Sequence, residues 1–342
     1  MATFYQTDPD ADIKFHRFSH PIENQIQIAL KKFQQILNSY ALFHLSFLVI
    51  LALQTTCVII LLFTHPISAI FAIALAALFL CFFSYLIINY YFQEKKPDQY
   101  QELKNNFFDE CKKIITLDLE DEDYHLFLAN SAFQLTTYIS QKHIYTFNIP
   151  PFRFLETIFL KLSFWLHFKD IQKMQELLMH RSIEEHIELI KKTPINLTVH
   201  TSLANAYIAL SKVYQFPSDF PFANSHFFKQ KFTKPQLLKK FHQATKRAIE
   251  ELKILDDLAP NDPWIHAQLA TCYHHLQMYD EEIREYEILL NLRSTDKEIL
   301  FRLGLLYFQL GKTAQGLKVY EKLLQIDALD ASHLISHYSS IT

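Results

Sequence analysis

Glycine is nearly absent: the chain has three in 342 residues, Gly304, Gly311 and Gly316, all close to the C-terminus. Turn-rich β architectures and phosphate-cradling loops use glycine wherever the backbone must take positive φ. Their shortage points to a mainly helical protein and away from nucleotide-loop chemistry. Cysteine is also scarce. Cys57, Cys81, Cys111 and Cys272 form no CxxC pair, which argues against a disulfide framework and against structural zinc. No HExxH, P-loop or GxGxxG occurs, and no Ser/His/Asp or Cys/His arrangement is recognisable. These absences point away from an enzyme and give no reason to expect a cofactor. A net charge of -3 gives no electrostatic reason to expect nucleic acid as a partner.

Charge is missing altogether from two stretches. Residues 41–64 and 67–92 contain no Asp, Glu, Lys or Arg. Each is long enough to cross a hydrocarbon core, which takes about 20 apolar residues, and in lipid the backbone satisfies itself best as helix. Only His65 and Pro66 separate them, so the expectation is an antiparallel transmembrane hairpin over 41–92. Gln54, at mid-depth with Thr55 and Thr56, is expected to pair with the neighbouring helix. Tyr85, Tyr90 and Tyr91 suit an interfacial aromatic belt. Lys31 and Lys32 precede the first run and Lys95 and Lys96 follow the second. That distribution places both termini on the cytoplasmic side.

Around the hairpin the reading is helical. Residues 1–21 have no clear period and are expected to be a mobile tail. Ile22, Ile26, Phe33, Ile36, Leu37 and Tyr40 form an amphipathic stripe over 22–40, which either lies on the membrane or packs on the soluble part. Pro97–Asp98 reads as a helix start. The acidic run 118–123 opens a helix over about 121–141. The apolar stretch 152–168 reads as a helix buried on most sides or lying against the membrane, and the capping-box spacing Ser182/Glu185 starts another over 183–192. Region 97–196 is thus helical, with Leu128-Ala129-Asn130 as a hint of a degenerate repeat.

The C-terminal part repeats itself. Leu269, Ala270, Tyr273, Tyr286 and Leu289 recur 34 residues later as Leu303, Gly304, Tyr307, Tyr320 and Leu323. Glu282 stands opposite Gly316, so that helix pair is expected to pack less tightly or to present Glu282 to solvent. Asp262 with Pro263, and Thr295 with Glu298, read as helix starts. Gly311 suits a helix C-terminus, with Thr313 capping the next helix. A further unit, 197–262, has Leu203-Ala204-Asn-Ala-Tyr207 as first helix and Ala248, Leu252, Leu255 and Pro260 as second. A Phe-rich insertion at about 215–234 splits it. Units 263–296 and 297–330 follow, then a C-terminal cap, 331–342.

Leu303-Gly304-Leu-Leu-Tyr307 with Gly316 resembles the tetratricopeptide repeat (TPR). The expected fold is therefore all-α, an N-terminal two-helix transmembrane hairpin followed by an α-solenoid of TPR-like helix pairs. The resemblance implies a protein or peptide partner bound in a concave groove. By repeat position the groove includes Thr201, Asn205, Trp264, Ala267, Thr271, His274, His275, Phe301, Leu305 and Phe308, an aromatic, weakly charged set that suits an apolar peptide. Asn205 and Arg302 could hold a C-terminal carboxylate, but the accompanying lysines are missing. The histidines, including the pairs His16/His20 and His333/His337, have no convincing carboxylate or Cys set around them, so no metal is expected. The function expected is a membrane-anchored adaptor or scaffold. The alternative is an inner-membrane assembly or secretion accessory working as a chaperone. The hairpin also looks like the inclusion-membrane proteins that some obligate intracellular bacteria secrete, which would put it in a host vacuole membrane.

Overall fold

The computed structural model describes residues 9–64, 66–115, 121–140, 156–215 and 235–341. Among these, all regular structure is helical. The chain forms two compact units, Met1–Glu185 and His186–Thr342.

The first unit is built on a hairpin of two long helices, α1 (Pro9–Thr64) and α2 (Ala69–Ile115). Rings pair in antiparallel order along it: Phe33 with Tyr100, Tyr40 with Phe92, Phe47 with Tyr85. Its base is a core. Ile22, Ile26, Phe33 and Leu37 pack with Tyr100, Leu103, Phe107 and Cys111, and with Leu128, Leu135 and Ile139 of α3 (Asp121–Ser140). Ile171, Met174 and Leu178 of α4 (Glu156–Lys192) close it. The stripe over 22–40 therefore packs on the soluble part. It is not a separate helix: no breaker divides Tyr40 from Ala41, and α1 starts at Pro9, within the stretch expected to be a mobile tail. Residues 1–8 lie outside the described residues.

Three other local expectations are corrected. Pro97 does not start a helix, because α2 runs through it. A proline costs one backbone bond, and here packing on both sides holds the helix: the Lys96 ammonium lies 3.0 Å from Asp170 and 4.5 Å from the centre of the Tyr40 ring, and Tyr100 is buried. Ser182/Glu185 is not a capping box but mid-helix. Ser182 is buried and donates to the Ala129 carbonyl at 3.0 Å, while Glu185 meets His125 and Arg181. In the hairpin, Gln54 forms no bond to its neighbour, its Oε1 being buried without a partner, and Thr55 and Thr56 turn back to the Ala52 carbonyl.

Above the base, the apolar stretches of α1 and α2 keep their side chains outward. Leu48, Leu53, Ile60, Phe63, Ile70, Phe79, Leu80 and Ile87 are all exposed. None of the most apolar window of either helix is buried.

The second unit is a series of TPR-like helix pairs: α5 (Leu197–Tyr214) with α6 (Pro235–Leu258), α7 (Pro263–His275) with α8 (Tyr279–Leu292), and α9 (Lys297–Gln309) with α10 (Thr313–Ile326). Helix α11 (Ala328–Ile341) ends it, Leu334 packing over Gly304 where the C-terminal cap is expected. The insertion lies outside the described residues from 216 to 234. Asn196, Asp262 and Asp296 cap the three first helices, each accepting from the backbone N–H two residues on. Asp296 thus replaces Thr295 as the cap of α9: a carboxylate one residue nearer the helix reaches its free N–H groups directly. Thr313 is the first residue of α10, and Lys312 before it makes no side-chain cap bond. Gly311 takes φ 70°, as its place at a helix end requires, and Gly316 lets the Phe308 ring approach closely.

Candidate functional site

Pro263, Ala267, Thr271 and His274 recur every three to four residues, so they share one face of α7. They line a cavity of about 480 Å³ with Glu282, Tyr286 and Leu289 of α8, Arg293 just after it, and Glu298, Ile299, Arg302, Leu305 and Gln309 of α9. The Asp262 cap sets the start of α7, its carboxylate accepting from Trp264 N–H at 2.9 Å. Thus the cleft lies between one helix pair and the first helix of the next.

Glu282 is the least expected group in it. Its place in the repeat belongs to a small residue, Ala248 or Gly316 in the neighbouring units. The structure buries it, correcting the expectation of a solvent-facing side chain. Its carboxylate sits 3.1 Å from His274 Nδ1. Burial raises its pKa, while His274 and Arg302 pull the other way. A buried carboxylate is tolerated when donors compensate its lost water, and the exposed His274 above it supplies one.

Of the sequence-predicted groove, Ala267, Thr271, His274 and Leu305 come together here. The others are placed elsewhere. Trp264 packs on the core shared by α5, α6 and α7. The His275 ring lies edge-on to Phe241 at 5.6 Å. Phe301 is half-buried on the core of the last helices, 6.5 Å from the His337 ring. Phe308 is buried, 4.6 Å from the Tyr338 ring. Thr201 bonds back to the Leu197 carbonyl and Asn205 is exposed, neither of them lining this cleft. Missed from the predicted groove are Pro263, Glu298, Ile299, Arg302 and Gln309 on the first helices and, above all, Glu282, Tyr286 and Leu289 of α8 with Arg293 at its end. The i, i+4, i+7, i+11 spacing of these last four was readable, but only the packing shows that the second helix forms part of the wall. With Glu282, Arg293, Glu298 and Arg302 present, the cleft is of mixed charge rather than weakly charged and aromatic.

No family model and no curated protein matches the chain. Among solved structures it is similar to MamA (MSR-1), at 14% identity over 71% of this chain and 98% of that one, TM-score 0.37. It is also similar to TTC0263, a thermophilic TPR protein of Thermus thermophilus, at 18% identity over 72% and 93%, TM-score 0.31. A third is YrrB, described as a TPR protein with an unusual peptide-binding site, at 13% identity over 49% and 90%, TM-score 0.26. The TPR-like assignment rests on the helix pairs themselves. None of these structures lends support to the likeness with inclusion-membrane proteins.

Proposed function

We propose that this chain is a membrane-anchored adaptor: the hairpin sits in lipid and the TPR-like pairs hold a protein or peptide partner in the cleft lined by α7, α8 and α9. The observation that carries the reading is the coexistence of two opposite surfaces. The charge-free stretches of α1 and α2 turn large apolar side chains outward, where water would penalise them by about 25 cal/mol per Å². The cleft, by contrast, mixes Leu289, Ile299 and Leu305 with charged and hydrogen-bonding groups, a lining suited to a polypeptide with both side-chain and backbone contacts. At 1.5 Å per residue, residues 41–64 span roughly 36 Å of helix, against a hydrocarbon core of about 30 Å. The basic flanks favour both termini on the cytoplasmic side. The role is binding rather than catalysis, and the partner is protein rather than nucleic acid.

Expression in bacteria with reporters fused at residues 1, 65 and 342 tests the anchor. The expected pattern is one compartment for both ends and the opposite one for residue 65. A chain released from membranes by alkaline carbonate, or ends reporting opposite sides, overturns it.

A further inference from the structure

Two TPR-like units and the helix pair α3–α4 share a partly buried His–Glu pair that the last unit replaces. His125 Nδ1 lies 2.6 Å from Glu185, His200 Nδ1 2.8 Å from Glu251, and His266 Nδ1 2.8 Å from Glu285. Each histidine precedes the same pattern, Leu128-Ala129, Leu203-Ala204 or Leu269-Ala270, by three residues. Each glutamate follows the contact position of the second helix, Ser182, Ala248 or Glu282, by three. The Ser182 hydroxyl of α4 donates to the Ala129 carbonyl of α3 at 3.0 Å, between these two positions. In the last unit the same two places are Leu300 and Val319, both buried. Histidine and glutamate are thus exchanged together for an apolar pair.

Two of the pairs have a further bond. His200 Nε2 lies 3.0 Å from the Pro194 carbonyl and His266 Nε2 2.9 Å from the Pro260 carbonyl. A carbonyl only accepts, and an ionised carboxylate only accepts, whereas a neutral imidazole has one N–H. Making both bonds takes one additional proton, on the ring or on the glutamate. The Glu185 carboxylate also meets Arg181, a permanent cation.

We infer that His266–Glu285 is a proton clasp, taking up one proton to tie the first helix of its unit to the second and releasing it as pH rises. His266 is 2% exposed, and the titratable and charged groups facing it are Glu285 of α8 and Asp256 of α6, 3.6 Å from Nε2, with Lys253 and Tyr273 beside Glu285. Burial pulls the His266 imidazole down, but the Pro260 carbonyl, Glu285 and Asp256 together outweigh it and raise its pKa above 6.5. Burial raises Glu285 as well, opposed by His266. Both shifts make the folded unit hold more protons than the unfolded chain. The stability the His266 shift gives is complete below the unfolded histidine value and is lost as pH rises through the folded one; the Glu285 contribution is likewise lost as pH rises, but from the unfolded carboxylate value. Helix α7 carries the clasp on one face and the cleft on another. The inference concerns the helix pairs and stands whether or not the cleft binds a peptide.

The full chain in detergent micelles allows the test. Deuterium exchange at the imidazole C2 position, read by mass spectrometry, reports the titration of individual histidines. The expected His266 midpoint lies above 6.5 and returns toward 6.5 in the denatured chain; a folded midpoint at or below 6.5 overturns the inference. The variant H266L/E285V copies Leu300 and Val319. Between pH 6 and pH 8.5 the wild-type unfolding midpoint should drop by roughly 2–4 °C more than that of the variant; equal drops overturn the inference. The exchange measurement needs no variant and so decides the matter even where the substitution prevents folding.

Discussion

Gln277 has φ 58°, the left-handed region, at the place where the next unit has Gly311 with φ 70°. The two turns close alike, Met278 N–H bonding the Tyr273 carbonyl at 3.0 Å and Lys312 N–H the Tyr307 carbonyl at 2.8 Å. A side chain in that region costs roughly 1–2 kcal/mol, so Gln277→Gly should raise stability by about 1 kcal/mol, measured by denaturant unfolding. Gly316 has the opposite constraint. A Cβ there would meet the Phe308 ring at 2.5 Å, and Phe308 is held against Tyr338. Gly316→Ala should therefore cost roughly 1–3 kcal/mol by overpacking, read as a lower thermal midpoint. Both glycine roles could be read from the 34-residue register. The burial of Glu282 could not, because a charged residue in a small-residue place has no sequence signal for the donor, His274, that makes it tolerable.

Among elements, the first helices of the three pairs are capped by one simple rule, which Asp327 repeats at the start of α11. Asn196, Asp262 and Asp296 each accept a backbone N–H at a helix start. Asp262→Ala should cost about 1 kcal/mol and leave the α7 amides less protected in hydrogen exchange, with α9 unaffected. Helix existence was legible wherever apolar residues recur at helical spacing, and missed over 9–21, where no period shows. Helix boundaries were not. The capping-box spacing is also the ordinary i, i+3 spacing of a helix interior, so Ser182/Glu185 looks the same in either place. What decides it is the tertiary bond from Ser182 to Ala129. Pro97 likewise reads as a boundary until the contacts of Lys96 and Tyr100 are known. The His–Glu pairs were invisible for a related reason: their partners are 60, 51 and 19 residues apart, and only the folded units bring them together.

For the whole molecule, the hairpin was the plainest feature of the sequence, since charge-free stretches of that length are hard to explain in water. In the proposed reading, lipid covers the outward-facing side chains of both helices. The cleft was half legible: the first-helix positions followed from the repeat, while the wall from α8 and the mixed charge came only with the packing. Anchor and cleft together make the adaptor reading, and the cleft is the part on which function turns. The most direct test places a photoreactive amino acid at Thr271, in the cleft, and at Lys318, outside it, in the full chain in its native membrane. The expected result is a discrete protein adduct from position 271, absent from 318 and lost when Arg302 is replaced by Glu. Equal labelling from both positions, or none from 271, would contradict the adaptor reading.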